Sequence, residues 1–521
     1  MSSRLFANTA ALLLGIPLLL SACSLALDTS VKKAVGESCV ADTDCQAAKC
    51  LLSSIAPEDK VGICSTRCNV KEDCPAPSQC VKQQCMMPLT VGVAMTGAPS
   101  DLEGWTVAHN DSLQEASDAL GYLKLERLFG LTPGNVLKEV KDLATRNYVV
   151  IGNTVDYGDD FVAAAKTLPD NKFLVVNDGV RYEYPGRTPN FSTYWVHREQ
   201  AWYVAGKVAA SIGKKRLGVI SAFINPDCIR DVNAFTLGAR SVNPSIVVEV
   251  RHMGFWFDIN TLPTYEYPVG SGTKYFREEY LTRMMWESGV EVIAHIGNTQ
   301  RSVKLIDQLM IQNPTRPTKV WTFANDVKNG CKDSAGSFFP TCIGSIYENW
   351  TPIYTRIFDQ IHRGVYTVST IEMDIDDTDN TSVGVSINPK GPGDDLSTKT
   401  LIQALARTQN PGPRHRVYMG PYDVNGQRDK EFDGLPDGTQ KMLPGEILTD
   451  SELARMCWFV KGVVEKTKLN DPLSADKEAL VPGGLIPGST APNMLQGIPP
   501  DSEDKLVLPT GLSWKCKENS F

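Results

Sequence analysis

The chain has 521 residues, 42% of them hydrophobic, and a formal net charge of −8 with its Lys and Arg scattered. That balance supplies ample core and argues against a nucleic-acid surface, which needs a clustered basic patch. Six histidines carry no metal-pair spacing, and HExxH, GxSxG and GxxxxGK[ST] motifs are all missing, so no motif singles out an enzyme.

At the N-terminus, Arg4 precedes an apolar run over 10–20, and Leu20-Ser21-Ala22-Cys23 follows. The run is too short to span a bilayer and reads as a cleaved signal peptide over 1–22. The tetrapeptide resembles a lipobox, so Cys23 is expected to be lipidated and to become the first mature residue. The mature chain would then sit outside the cytoplasm on a lipid tether, on the periplasmic or cell-surface side of a bacterial membrane. An ordinary signal peptide with a chance cysteine is the plainer alternative. Residues 23–38 form a linker.

Residues 39–86 hold Cys39, Cys45, Cys50, Cys64, Cys68, Cys74, Cys80 and Cys85, with too few large apolar residues between them to build a core. An even cysteine count in an exported segment reads as a disulfide scaffold; zinc is the competing reading, but the segment has neither histidine nor a CxxC pair. Cys39-x5-Cys45-x4-Cys50 and Cys74-x5-Cys80-x4-Cys85 share a spacing, which suggests two related knots. Their role is a rigid stalk or a protein-binding module.

Over 88–465, strand-length apolar runs at 91–95, 148–152, 172–176, 217–222, 290–296 and 320–323 alternate with amphipathic stretches at 110–120, 135–146, 200–212, 278–288 and 302–311. Such alternation predicts parallel sheets covered by helices on both faces. The length calls for two doubly wound lobes, one over about 88–197 plus returning C-terminal segments, the other over about 215–345. Within the second, 216–258 reads as a βαβ unit. Its strand at 246–250 leads to Phe255-Trp256-Phe257 beside Asp258, at the end of the sheet where ligands bind.

Residues 259–274 read as an inserted loop, lying over the cleft mouth or simply on the surface. The acidic run 372–379 reads as a solvated loop, and Cys331 and Cys342 as a local disulfide. The Pro- and Gly-rich tail over 466–521 ends near Cys516, a candidate partner for Cys457.

Several blocks carry a family resemblance: Gly104-Trp105-Thr106-Val107-Ala108-His109-Asn110, the run from Val232 to Pro244, Trp256-Phe257-Asp258, Asn349-Trp350, Gly420-Pro421, and Trp458-Phe459-Val460-Lys461-Gly462-Val463. From about 91 to 464 the chain resembles the Bmp (basic membrane lipoprotein) family of ABC-transporter substrate-binding lipoproteins. The resemblance implies a type I periplasmic-binding fold that captures purine bases or nucleosides and delivers them to a membrane permease. It also implies stacking on Trp105 from one lobe and on Trp256, with Phe257, from the other. Either tryptophan could instead be a core residue at a strand end.

Asp258, Asn298, Asn325, Asp326, Asn349 and Thr106 are the polar candidates, although Asn, Asp and Thr also serve as helix caps. Asn349-Trp350 matches members that bind free bases. Asn325-Asp326 and Thr106 depart from the nucleoside-binding pattern, which tilts the expectation towards a free base such as adenine. No cofactor or metal is expected. The alternative function is a ligand-sensing receptor or interaction lipoprotein that uses the cysteine-rich segment to contact a partner.

Overall fold

The computed structural model describes residues 32–46, 48–97, 104–131, 136–177, 186–222, 226–253, 256, 264–266, 271–376, 378–392, 398–408, 412–420, 422–425, 441–442, 444–453, 456, 458–465, 506–507 and 513–514. Cys23, Cys457, Cys516, Phe257 and Asp258 lie outside these, as do most of the inserted loop and the tail.

Two small disulfide knots come first. In one, β1 (Ser38–Cys39), β2 (Lys49–Leu52) and β3 (Gly62–Ser65) pair antiparallel; in the other, β4 (Gln79–Val81) pairs with β5 (Gln84–Met86). Cys39 bonds Cys50 and Cys45 bonds Cys64; then Cys68 bonds Cys80 and Cys74 bonds Cys85. Each knot therefore links its first cysteine to its third and its second to its fourth.

The knots are related, but the correspondence differs from the one that spacing suggests. Cys39 answers to Cys68 rather than to Cys74, and Cys45 to Cys74. A carboxylate turn before the second cysteine fixes this match. Asp44 Oδ2 accepts the Val40 and Ala41 N–H groups, and Asp73 Oδ2 accepts those of Asn69 and Val70.

The body then alternates strand and helix: β6 (Leu89–Ala94), α1 (Trp105–Leu120), β7 (Leu123–Leu128), α2 (Leu137–Arg146), β8 (Val149–Gly152), α3 (Gly158–Thr167), β9 (Lys172–Val176) and β10 (Phe191–Val196). The chain continues through α4 (Glu199–Ser211), β11 (Arg216–Ser221), α5 (Pro226–Val242) and β12 (Val247–His252). A short hairpin, β13 (Tyr265–Glu266) with β14 (Lys274–Tyr275), precedes α6 (Arg277–Ser288), β15 (Val292–Ile296), α7 (Arg301–Gln312), β16 (Trp321–Ala324) and β17 (Cys342–Glu348). Then come α8 (Thr351–His362), β18 (Thr370–Met373) and β19 (Val383–Ile387).

Lobe 1 is a six-stranded parallel sheet in the order β18-β10-β9-β8-β6-β7. Lobe 2 has the order β19-β17-β16-β15-β11-β12 and then the strand Val463–Glu465, parallel except for β19. Central strands such as β8, β15 and β17 are buried along their whole length, as expected of sheets covered on both faces.

The chain passes between the sheets three times: after β10, after β17 and between β18 and β19. The acidic run expected to be a solvated loop supplies part of the third passage. Glu372 and Met373 belong to β18, Ile375 is buried, and Asp374 accepts a hydrogen bond from the Gln200 side chain. Asp374, Thr378 and Asp379 are solvated, as expected of a surface loop.

Helices α4 and α5 pack closely because small residues meet. A Cβ on Gly206 would lie 2.0 Å from the Phe235 carbonyl oxygen, and one on Gly238 would lie 2.0 Å from that of Tyr203.

Both knots are fixed to lobe 1. Arg363, at the end of α8, donates to the Val61 carbonyl (2.8 Å) and to Asp59 Oδ2 (2.9 Å), while Ser53 Oγ donates to Asp359 (2.8 Å). At the end of α1, Lys82 Nζ donates to the Ala119 carbonyl and Gln79 to that of Gly121.

Candidate functional site

The segment that follows β6 into α1 meets the segment that follows β15, so the lobes touch beyond the carboxyl ends of these strands, where doubly wound sheets bind ligands. On the lobe 1 side, Trp105 is the first residue of α1, half-buried, and its Nε1 donates to the Asn153 carbonyl at 2.6 Å. Thr106 is buried behind it, its Oγ1 accepting the Gly97 N–H at 3.0 Å.

Trp105 meets Trp350 edge to face at 5.2 Å, with Trp195 tilted at 6.5 Å. His109, one turn along α1, stacks on Trp350 at 4.1 Å. Burial holds the His109 imidazole well below its ordinary pKa, so it is neutral, with Nδ1 bonded to Tyr354 Oη. The indole of Trp105 thus has one edge locked in an aromatic wall and the rest half open.

On the lobe 2 side, Trp256 is half-buried and its carbonyl accepts the Asn298 N–H at 2.8 Å. Asn298 follows β15 and touches lobe 1. A Cβ on Gly104 would lie only 2.4 Å from the Asn298 carbonyl oxygen. The backbones bearing Trp105 and Trp256 are therefore brought together through Gly104 and Asn298, and the two lobes meet there.

Asn325 and Asp326 follow β16 and are both buried, and Asp326 holds the left-handed φ of +64° that Asp tolerates better than most residues. Asn325 Nδ2 donates to Asp326 Oδ1 at 2.7 Å, and Gln300 donates to the Asn325 carbonyl at 2.8 Å. Asn349 lies just before α8: its Oδ1 accepts the Thr351 N–H (3.1 Å) and its Nδ2 donates to Asn380 Oδ1 (2.9 Å). Its amide is thus engaged in joining the second passage between the lobes to the third. Trp350 beside it is fully buried.

A charged cluster that sequence reasoning missed lies at the hinge. Arg198, after β10, pairs with Asp227 (2.7 Å) and Asp231 (2.8 Å) of α5, and Arg230 pairs with Asp227 (3.0 Å). Glu199, Asp326 and Glu348 lie close by, all at most 4% exposed. Burial pushes the Asp326 carboxyl up to about 7, with Arg198 opposing and Asp231 adding. The same cause raises Asp231 and Glu348 well above the usual carboxylate range.

Asp227, Arg230 and Asp231 would read as the exposed face of a helix start, yet residues 226–236 are all buried. A signal was present in their i, i+3, i+4 spacing, which puts the three charges on one face of the helix.

Comparison with known proteins gives this geometry its context. The Bmp family, described as ABC transporter substrate-binding protein PnrA-like, matches residues 89–264. Over 385 residues the chain is 33% identical to a purine-binding protein of Brucella abortus (strain 2308), spanning 73% of this chain and 93% of that one. A putative ABC transporter glucose-binding protein of Haloferax volcanii is 29% identical over 157 residues, 30% of this chain and 39% of that protein. Among solved structures, a solute-binding protein of an ABC transporter system from Conexibacter woesei is 17% identical with a TM-score of 0.46, covering 62% of this chain and 96% of that one. The chain belongs to the Bmp family of PnrA-like ABC transporter substrate-binding proteins.

Proposed function

We propose that this protein is a lipid-anchored, extracytoplasmic receptor that captures a purine and delivers it to an ABC permease, with the free base favoured over the nucleoside. The observation that carries the reading is the half-open indole of Trp105, locked on one edge against Trp350 and joined through the Gly104–Asn298 contact to the backbone of Trp256. A flat heterocycle held between two such rings gains roughly 1–3 kcal/mol per aromatic face. The Brucella relative bears the name of a purine-binding protein, which favours the same ligand class.

Five disulfides among the described residues agree with an oxidising compartment. Among those residues no helix is long and apolar enough to cross a membrane. The proposed anchor is the lipid on Cys23.

A thermal-shift screen of purine bases and nucleosides tests the reading. Ligand at a hundredfold excess over Kd stabilises by about 2.7 kcal/mol. A screen in which no purine raises the melting temperature would refute it. So would a Trp105→Ala protein that binds the best purine as tightly as the wild type.

A further inference from the structure

Resting on that purine reading, we propose that Glu348 selects the base: its neutral carboxyl donates one hydrogen bond to a ring nitrogen and accepts one from an adjacent exocyclic amino group, as on adenine. Glu348 ends β17, immediately before Asn349-Trp350, and its backbone N–H donates to the Asp326 carbonyl at 3.3 Å. The side chain is 4% exposed, and neither carboxyl oxygen has a hydrogen-bond partner among the described residues. Two unused oxygens on a buried carboxyl are costly unless something supplies donors.

The neighbours decide its charge. Asp326, after β16, Arg198, after β10, and Asp227, on α5, are the charged groups that act on it. Arg198 is engaged by Asp227 and Asp231, and in the whole cluster two guanidiniums (Arg198, Arg230) stand against five carboxyls (Asp227, Asp231, Glu199, Asp326, Glu348). Glu348 is therefore left without a counter-ion of its own and keeps its proton, the direction in which burial also drives it. A neutral carboxyl offers one donor beside one acceptor.

The rest of the corner chooses amino over oxo. Asn325 Oδ1 is a further buried acceptor with no partner among the described residues, and Asp326 Oδ2 is another when that carboxyl is ionised. An exocyclic amino group brings two N–H donors to this acceptor-rich corner, whereas a 6-oxo group would add another acceptor.

The test uses the full chain and calorimetry with adenine, unsubstituted purine and hypoxanthine, and with the three corresponding nucleosides. Wild type should prefer the 6-amino ligand over its unsubstituted partner by about 5- to 150-fold, as for one or two buried hydrogen bonds. Glu348→Leu should bring that ratio close to one. Glu348→Gln, which keeps a donor and an acceptor, should retain it. Wild-type affinity for adenine should weaken with rising pH as the carboxyl ionises, and Glu348→Gln should lack that dependence.

The proposal is overturned if Glu348→Gln loses as much as Glu348→Leu, which would mean an ionised carboxylate. It is equally overturned if Glu348→Leu leaves the ratio intact, or if only 6-oxopurines bind. Failure of every purine to bind the wild type would instead bring down the purine reading on which it rests.

Discussion

Replacing Gly104 with alanine separates closure of the lobes from their folding. Gly104 precedes α1 with an extended backbone (φ −134°), so alanine meets no conformational strain there. Its methyl carbon would lie 2.4 Å from the Asn298 carbonyl oxygen, 3.2 Å from Asn298 Cβ and 3.3 Å from its carbonyl carbon. Ordinary contact begins near 3.4 Å, so the oxygen must retreat by about 1 Å. Asn298 is held by the Trp256 carbonyl, and Gly104 by the first turn of α1, which leaves separation of the lobes as the easiest relief.

Overpacking of this size costs about 1–3 kcal/mol. The cost falls on the closed state, because the clash joins two lobes that each fold without it. Purine affinity should therefore drop about 5- to 150-fold, mostly through faster dissociation. The ligand-free melting temperature should stay within a degree or two. Calorimetry and stopped-flow binding read the first effect, and scanning calorimetry the second. A Kd within twofold of wild type would refute the contact as a closure latch. A large loss of ligand-free stability would show that Gly104 serves folding instead.

Three further outcomes follow from buried groups. Asp326 titrates near 7 when folded and near 4 when unfolded, so the native state holds a proton that the unfolded chain releases; stability falls as pH rises from about 4 to about 7. Asp326→Asn keeps the left-handed backbone and the bond to Asn325, and should remove up to about 1.4 kcal/mol per pH unit of that slope; equal slopes in urea melts at pH 5, 6 and 7 would contradict this. Arg363→Met strips two carboxylates and a carbonyl of their donor and should loosen the first knot from α8 by about 2–4 kcal/mol, seen as faster hydrogen exchange over 38–65; unchanged exchange would show that the knot is held by other contacts. Opening the Cys331–Cys342 bond with paired serines frees a loop of sequence separation 11 and should cost roughly 3 kcal/mol; a melting temperature equal to wild type would count against it.

The parallel strands that pack against helices on both faces were legible because their apolar runs are nearly continuous, as at 148–152 and 172–176. Strands that serve edges or passages were not. Leu123–Leu128 reads Leu-Lys-Leu-Glu-Arg-Leu, half-exposed, and resembles the polar end of a helix. Phe191–Val196 and Cys342–Glu348 carry two serines, a threonine, a glycine and a glutamate, all buried in the assembled fold. Thr370–Met373 pairs with residues almost two hundred positions earlier, and no local pattern encodes that.

The aromatic positions at the cleft were marked by their motif blocks. The charged hinge was not, because burial of Arg198, Asp227, Asp231 and Glu348 is a property of the assembled fold. Asn349 illustrates the converse: its amide serves the start of α8, a role that local pattern had offered as its alternative.

The knots grip the far ends of α1 and α8, and the near ends of those same helices carry Trp105 and Trp350. Each helix spans a few turns, about 24 Å for the sixteen residues of α1. The stapled cap, the two rods and the aromatic wall thus form one solid piece. In the proposed closure on a ligand, that piece would move as one body against the other lobe. Anything holding the cap would hold half of the binding wall steady as cargo enters.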